Sequence, residues 1–161
     1  MILNHQDIVH KIRRMAYQIY ESNVNESQII IAGIADNGYE LAKLLQKQVA
    51  TIAPFNVKLC RVSMNKNNPT DEVSCDCELE SLKNQSIILV DDVLYSGTAL
   101  IYGVGYFLQV PLKQFKTAVL VDRNHKKYPV KADFKGISLS TSLNENVVVD
   151  FSDGDFSAKL S

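Results

Sequence analysis

Residues 87–99, IILVDDVLYSGTA, constrain this chain more than any other stretch. Consecutive apolar residues at 87–90 read as a strand buried on both faces, which implies a parallel sheet covered by helices. Asp91 and Asp92 sit where that strand is expected to end. A turn of small residues follows: Ser96, Gly97, Thr98 and Ala99. Leu100, Ile101, Val104, Phe107 and Leu108 then fall on one helical face. The first N–H groups of a helix lack intrahelical partners and form an anion site. Glycine lets the backbone approach a phosphate closely. The two carboxylates cannot hold that phosphate. They suit sugar hydroxyls, or a hydrated magnesium ion, which prefers oxygen ligands. A ribose 5-phosphate fits between the two halves of the motif.

The remaining chain repeats the alternation. Ile8, Ile12, Met15, Ala16 and Ile19 trace a helical stripe. Residues 29–34 read as a buried strand, and 38–48 as a helix with Leu41, Leu44 and Leu45 inward. A weak alternation over 55–62 predicts a strand, and the polar stretch 65–84 predicts a loop. Residues 115–121 are rich in β-branched residues and predict another strand. The tail, 131–160, reads as a small strand-rich appendage. Strands alternating with helices imply parallel β-α-β units. In such sheets ligands bind beyond the carboxyl ends of the strands, at the switch in strand order. The loops after residues 33, 62, 91 and 122 all fall there.

The strand, acidic pair and small turn resemble the 5-phosphoribosyl-1-diphosphate (PRPP) loop of the type I phosphoribosyltransferases. The likeness is strongest to the branch of that family that joins pyrimidine-operon attenuation to uracil transfer. Residues 118–125, AVLVDRNH, and 129–134, PVKADF, extend the resemblance over most of the chain. It implies an α/β fold with a parallel, Rossmann-like core sheet and a small C-terminal hood. One domain is expected over 1–161, with a core near 25–125 and a hood near 126–161 plus the N-terminal helix. It also implies transfer of phosphoribosyl from PRPP to a nucleobase, pyrimidine favoured, with Mg2+ and release of diphosphate. A homodimer is expected on the same ground.

The resemblance assigns roles residue by residue. Asp91, Asp92 and Arg123 are the catalytic set, and Asp91 and Asp92 meet metal through water or the ribose. Tyr95, Ser96, Gly97, Thr98 and Ala99 hold the 5-phosphate. Ala35, Asp36, Asn37 and Gly38 take the place of the diphosphate loop. Val121, Asp122, Arg123 and His125 face the nucleobase, largely through backbone atoms. Transfer of this kind passes through an oxocarbenium-like state, so positioning and electrostatics carry most of it. Three positions depart from the family. Ala99 replaces a hydroxyl residue, and Thr98 stands where the attenuator branch has Arg. Asn37, preceded by Asp36, stands where that branch has a basic residue. Asp36 also reads as the N-cap of the next helix. Arg61 and Lys66 flank the long loop and are candidates for the missing positive charge. Tyr95 stands where purine-salvage relatives have an acidic residue.

A net charge of −1 disfavours nucleic acid as a partner, so RNA is possible but not favoured. No apolar stretch spans a membrane, and no signal core opens the chain, so a cytoplasmic protein is expected. The three cysteines, Cys60, Cys75 and Cys77, are expected as reduced thiols. The 75–77 stretch offers too few ligands for structural zinc, so incidental thiols in a loop are expected there.

Overall fold

A computed structural model describes residues 1–123, 126–140 and 145–161. In chain order its elements are α1 (His5–Glu21), β1 (Gln28–Ile34), α2 (Asn37–Ile52), β2 (Asn56–Ser63), β3 (Ser74–Cys75) and α3 (Leu79–Leu82). Then come β4 (Ser86–Leu94), α4 (Thr98–Phe107), β5 (Gln114–Arg123), β6 (Phe134–Leu139), β7 (Val147–Asp150) and β8 (Ser157–Leu160). Six strands form one sheet in the order β3-β2-β1-β4-β5-β6, parallel except for β3. The expected α/β parallel-sheet fold is present.

The period-two geometry of a strand sends successive side chains to opposite faces. Ile29, Ile31, Ile88 and Val90 pack on α1 and α2, whereas Ile30, Ala32, Ile87 and Leu89 pack toward α3 and α4. Both faces are therefore apolar, and the run at 87–90 is continuous rather than alternating. Each buried aliphatic side chain contributes about 1.5–3 kcal/mol by leaving water. The expected stripe of α1 is the buried set Ile8, Ile12, Met15, Ala16 and Ile19. Asn4 and Asp7 close a capping box at its start, with two bonds of 2.9 Å.

The strand order reverses between β1 and β4. Their ladder ends at Gly33 opposite Val90, while β4 stays paired with β5 up to Leu94 opposite Asp122. The sheet thus splits above Val90, and Asp91 and Asp92 stand at the split.

Several expectations need correction. Asp91 and Asp92 lie inside β4, not past its end, because β5 continues to pair with it. Leu108 is 64% exposed, since α4 stops at Phe107 before that face meets the sheet again. Leu44 faces inward as expected, packed against the core though only half-buried. The stretch read as a loop contains β3 and α3, which depend on pairing with β2 and on burying Leu82. β6 belongs to the main sheet, so the appendage proper is the β7–β8 hairpin. This hairpin is tied to the N-terminus: Leu3 bridges Ala158, and Phe156 donates its N–H to His5 Nδ1 at 3.1 Å. The cysteines are not all thiols. Cys60 and Cys77 form a disulfide, because β2 and the segment after β3 bring them together across 17 positions, and Cys75 alone is free.

Candidate active site

Gly38 opens α2 against the split in the sheet. A Cβ there would lie 2.8 Å from the Val90 carbonyl and 2.9 Å from Asp91 Oδ1, so only glycine lets the loop 35–38 press against the acids. The Ala35 N–H donates to the Val62 carbonyl at 2.8 Å and holds that loop against β2. Asp36 occupies the N-cap position of α2 but makes no capping bond. Its carboxylate points into solvent and pairs with Arg61 at 3.3 Å. Arg61 in turn lies over the Tyr39 ring. Asn37 Nδ2 donates to the Val149 carbonyl at 2.7 Å and to Asp92 Oδ2 at 3.2 Å. One amide thus joins the loop, the acidic pair and the C-terminal hairpin.

Asp91 is almost wholly buried and Asp92 is half-buried. Lys66, from the loop between β2 and β3, reaches Asp91 Oδ1 at 3.1 Å. Burial pushes the Asp91 carboxyl up from 3.8 to about 7; Lys66 pulls it down and Asp92 pushes it up further. Desolvation outweighs the ion pair here because the ammonium is itself 41% exposed and well screened.

On the other side of the pair lies the turn before α4. Gly97 has φ +86°, and a Cβ on it would lie 2.6 Å from Val130 Cγ1. The left-handed backbone and the close wall both call for glycine. Ser96 Oγ and Thr98 Oγ1 lie 2.7 Å apart, and the Thr98 N–H donates to Ser96 Oγ at 3.2 Å. The Ser96 carbonyl accepts from the N–H groups of Lys127 and Tyr128, which fixes the turn from outside. Ala99 lines the same hollow and offers no hydroxyl.

Two cavities flank the acids. One, of about 240 Å³, is lined by Lys66, Asp91, Tyr95 and the Ser96–Ala99 turn. The other, of about 510 Å³, is lined by Ala35, Asp36, Asn37, Lys66 and Asp92. Adjacent carboxylates on one strand project to opposite sides, which is why each cavity receives one of them.

The end of β5 carries the remaining candidate residues. Register sets Val121 and Asp122 beside Val93 and Leu94. The Val121 side chain is buried in the core, so only its backbone can meet a ligand. Asp122 is buried between Lys126 at 3.3 Å and Lys135 at 3.5 Å; Oδ1 makes no hydrogen bond despite the nearby ammonium. Arg123 is almost wholly buried, and its guanidinium lies over the Tyr95 ring, 4.0 Å from the centroid. His125 lies outside the described residues. The structure therefore gathers the residues at 91–92, 95–99 and 35–38 with Lys66, and sets Arg123 beside Tyr95. The link from Asn37 to the Val149 carbonyl has no counterpart in the sequence reading, because a backbone acceptor carries no side-chain signal.

Comparison with known proteins agrees with this architecture. Residues 1–154 match the family described as "Phosphoribosyl transferase domain". Curated relatives include the "Bifunctional protein PyrR" of Bacillus subtilis, 31% identical over 96% of this chain and 91% of that protein. The Streptococcus mutans protein of the same name is 32% identical over 86% of this chain and 80% of its own length. Among solved structures, the hypoxanthine phosphoribosyltransferase of Trypanosoma cruzi superposes with a TM-score of 0.78 at 14% identity, covering 98% of this chain and 94% of that one. A hypoxanthine-guanine phosphoribosyltransferase of Bacillus anthracis gives 0.74 at 17% identity, over 87% and 82%. Those two likenesses are of fold.

Proposed function

This chain belongs to the phosphoribosyl transferase domain family and is a phosphoribosyltransferase, and from that premise we propose that it moves the 5-phosphoribosyl group of PRPP onto a pyrimidine base, uracil foremost, releasing diphosphate. The observation that carries the proposal is the pair of cavities on either side of the acids, Lys66 lining both, Asp91 facing one and Asp92 the other. PRPP has the matching plan: a ribose between a 5-phosphate and a diphosphate.

In this reading the Ser96–Ala99 turn takes the 5-phosphate through backbone N–H groups and the Ser96 and Thr98 hydroxyls. Asp91 and Asp92 take the ribose hydroxyls. Loop 35–38 takes the diphosphate through its backbone, and Arg61 and Lys66 supply the charge that Asn37 does not. The base lies against the backbone at 121–123 and beside Arg123, so that its nitrogen attacks the anomeric carbon opposite the departing diphosphate. Holding both reactants in line lowers the entropic part of the barrier.

Magnesium fits the donor set, since adjacent carboxylates are hard oxygen ligands and Asp92 faces the wider cavity. Asp92, with Asp91 once Lys66 withdraws, would hold it. When bound, magnesium neutralises charge on the leaving diphosphate. A second copy of the chain and a cytoplasmic location complete the proposal.

A slower, ligand-sensing role is the second reading, favoured by Asp36, whose carboxylate stands beside the diphosphate cavity. Diphosphate release from PRPP and magnesium, measured with a panel of nucleobases, separates the two. Release with uracil supports transfer. PRPP binding without release for any base supports sensing.

A further inference from the structure

Three sulfur atoms and a carboxylate converge where β3 folds back on β2. Cys60 is on β2, Cys75 ends β3, and Asp76 and Cys77 follow. One Cys or carboxylate ligand atom from each of Cys60, Cys75, Asp76 and Cys77 lies within 4.8 Å of all the others. The antiparallel pairing of Val62 with Cys75 folds the segment back onto β2 and creates the cluster. Cys60 and Cys77 are buried, Cys75 is half-buried, and Asp76 is exposed, so the cluster has a solvent side.

The backbone beside the cluster fixes its carboxylate. Burial pushes the Cys75 thiol up and the Asp76 charge adds to that, while the Cys77 and Asp76 backbone and the Lys58 ammonium oppose the shift only in part. The Arg61 N–H donates to Asp76 Oδ1 at 2.7 Å and orients that carboxylate. Partners of this kind behind the ligands are what tune metal sites. Tetrahedral zinc with thiolate bonds of about 2.3 Å holds its ligand atoms roughly 3.7 Å apart, inside the observed spread. Three sulfurs favour a thiophilic ion over magnesium.

We propose that reduction of the Cys60–Cys77 bond opens a four-ligand site for a thiophilic divalent cation, zinc foremost, built from Cys60, Cys75, Cys77 and Asp76. A dithiol supplies the two electrons: the S–S bond breaks, both sulfurs gain hydrogen, and the dithiol closes to its own disulfide. The cation then displaces the protons of three thiols to solvent. Disulfide and metal are alternative clasps at the root of the loop that carries Lys66. This site is independent of the transfer reaction, and its failure would leave the proposed function untouched.

The test uses the full chain, reduced with a dithiol, freed of it without air, and titrated with cobalt(II). One cobalt per chain with thiolate-to-cobalt charge-transfer absorption is expected, displaced by zinc(II), and absent from the oxidised protein. Cys75→Ser leaves the disulfide pair intact as a check on folding, and its reduced form should bind cobalt at least about tenfold more weakly; Asp76→Asn should weaken it by a similar factor. Absence of the absorption from reduced protein, folded or not by circular dichroism, would overturn the proposal. So would unchanged affinity in Cys75→Ser, or equal affinity in urea-unfolded chain.

Discussion

In the proposed reading, the two loops that flank the acidic pair share one task, holding phosphate groups, by different means. The Ser96–Ala99 turn is a backbone cradle: Gly97 adopts φ +86°, and the Ser96 carbonyl is held from outside by two amides. Loop 35–38 also offers backbone, but its side chains are committed elsewhere. Asn37 bonds Val149 and Asp92, and Asp36 faces Arg61. A cradle made of amides tolerates changes of side chain, which is why Ala99 and Thr98 leave its form intact. A loop that relies on charge does not, so any deficit in this enzyme should appear on the diphosphate side.

The largest effect is expected where the two halves meet. Asp91→Asn with Asp92→Asn removes two charge-assisted contacts, about 3–6 kcal/mol, and calorimetry should show PRPP affinity falling at least about 100-fold. Unchanged affinity would remove the acids from both halves.

Next comes Asp91 itself in the magnesium-free protein. Its carboxyl rises from 3.8 to about 7 on folding, so the folded chain binds the extra proton between those values. Stability from this group is full below about pH 4 and is lost as pH rises through about 7, roughly 4 kcal/mol in all. Denaturant unfolding across that range should show the decline in the native chain and not in Asp91→Asn. A parallel decline in both would assign it to other groups.

Gly97→Ala should cost about 1–3 kcal/mol through the left-handed backbone, lowering the unfolding midpoint and weakening ribose 5-phosphate; no change in either would mean the turn is not a fixed cradle. The smallest effect is expected from Asp36→Asn. Removing an exposed carboxylate beside the wider cavity, where the proposal puts diphosphate, should tighten diphosphate a few-fold, about 0.2–1 kcal/mol. Weaker binding would show that the Asp36–Arg61 pair positions Arg61 for the ligand.

The sequence made the first loop readable and the second only partly so. Strands β1, β4 and β5, with the stripe of α1, followed from apolar patterning, because a sheet covered on both faces leaves continuous runs such as 29–34 and 87–90. The turn at 96–99 was legible because small residues before an apolar helical face have few other uses. β3 and α3 were not legible: a two-residue strand has no periodicity, and it exists through pairing with Val62 and Ser63. β6 read as appendage because its burial alternates, as suits the edge of a sheet. The disulfide was missed because sequence spacing does not report that β2 and residue 77 meet in space. Lys66 was a candidate for positive charge, but its seat on Asp91 depends on the path of a long loop.

The most direct measurement is calorimetric titration of the magnesium-loaded protein with PRPP, with ribose 5-phosphate and with diphosphate, each alone. A site divided by its acids into a finished phosphate cradle and a weaker diphosphate loop should bind PRPP tightest, ribose 5-phosphate next and diphosphate least. Diphosphate binding as tightly as PRPP, or no PRPP binding at all, would contradict that division.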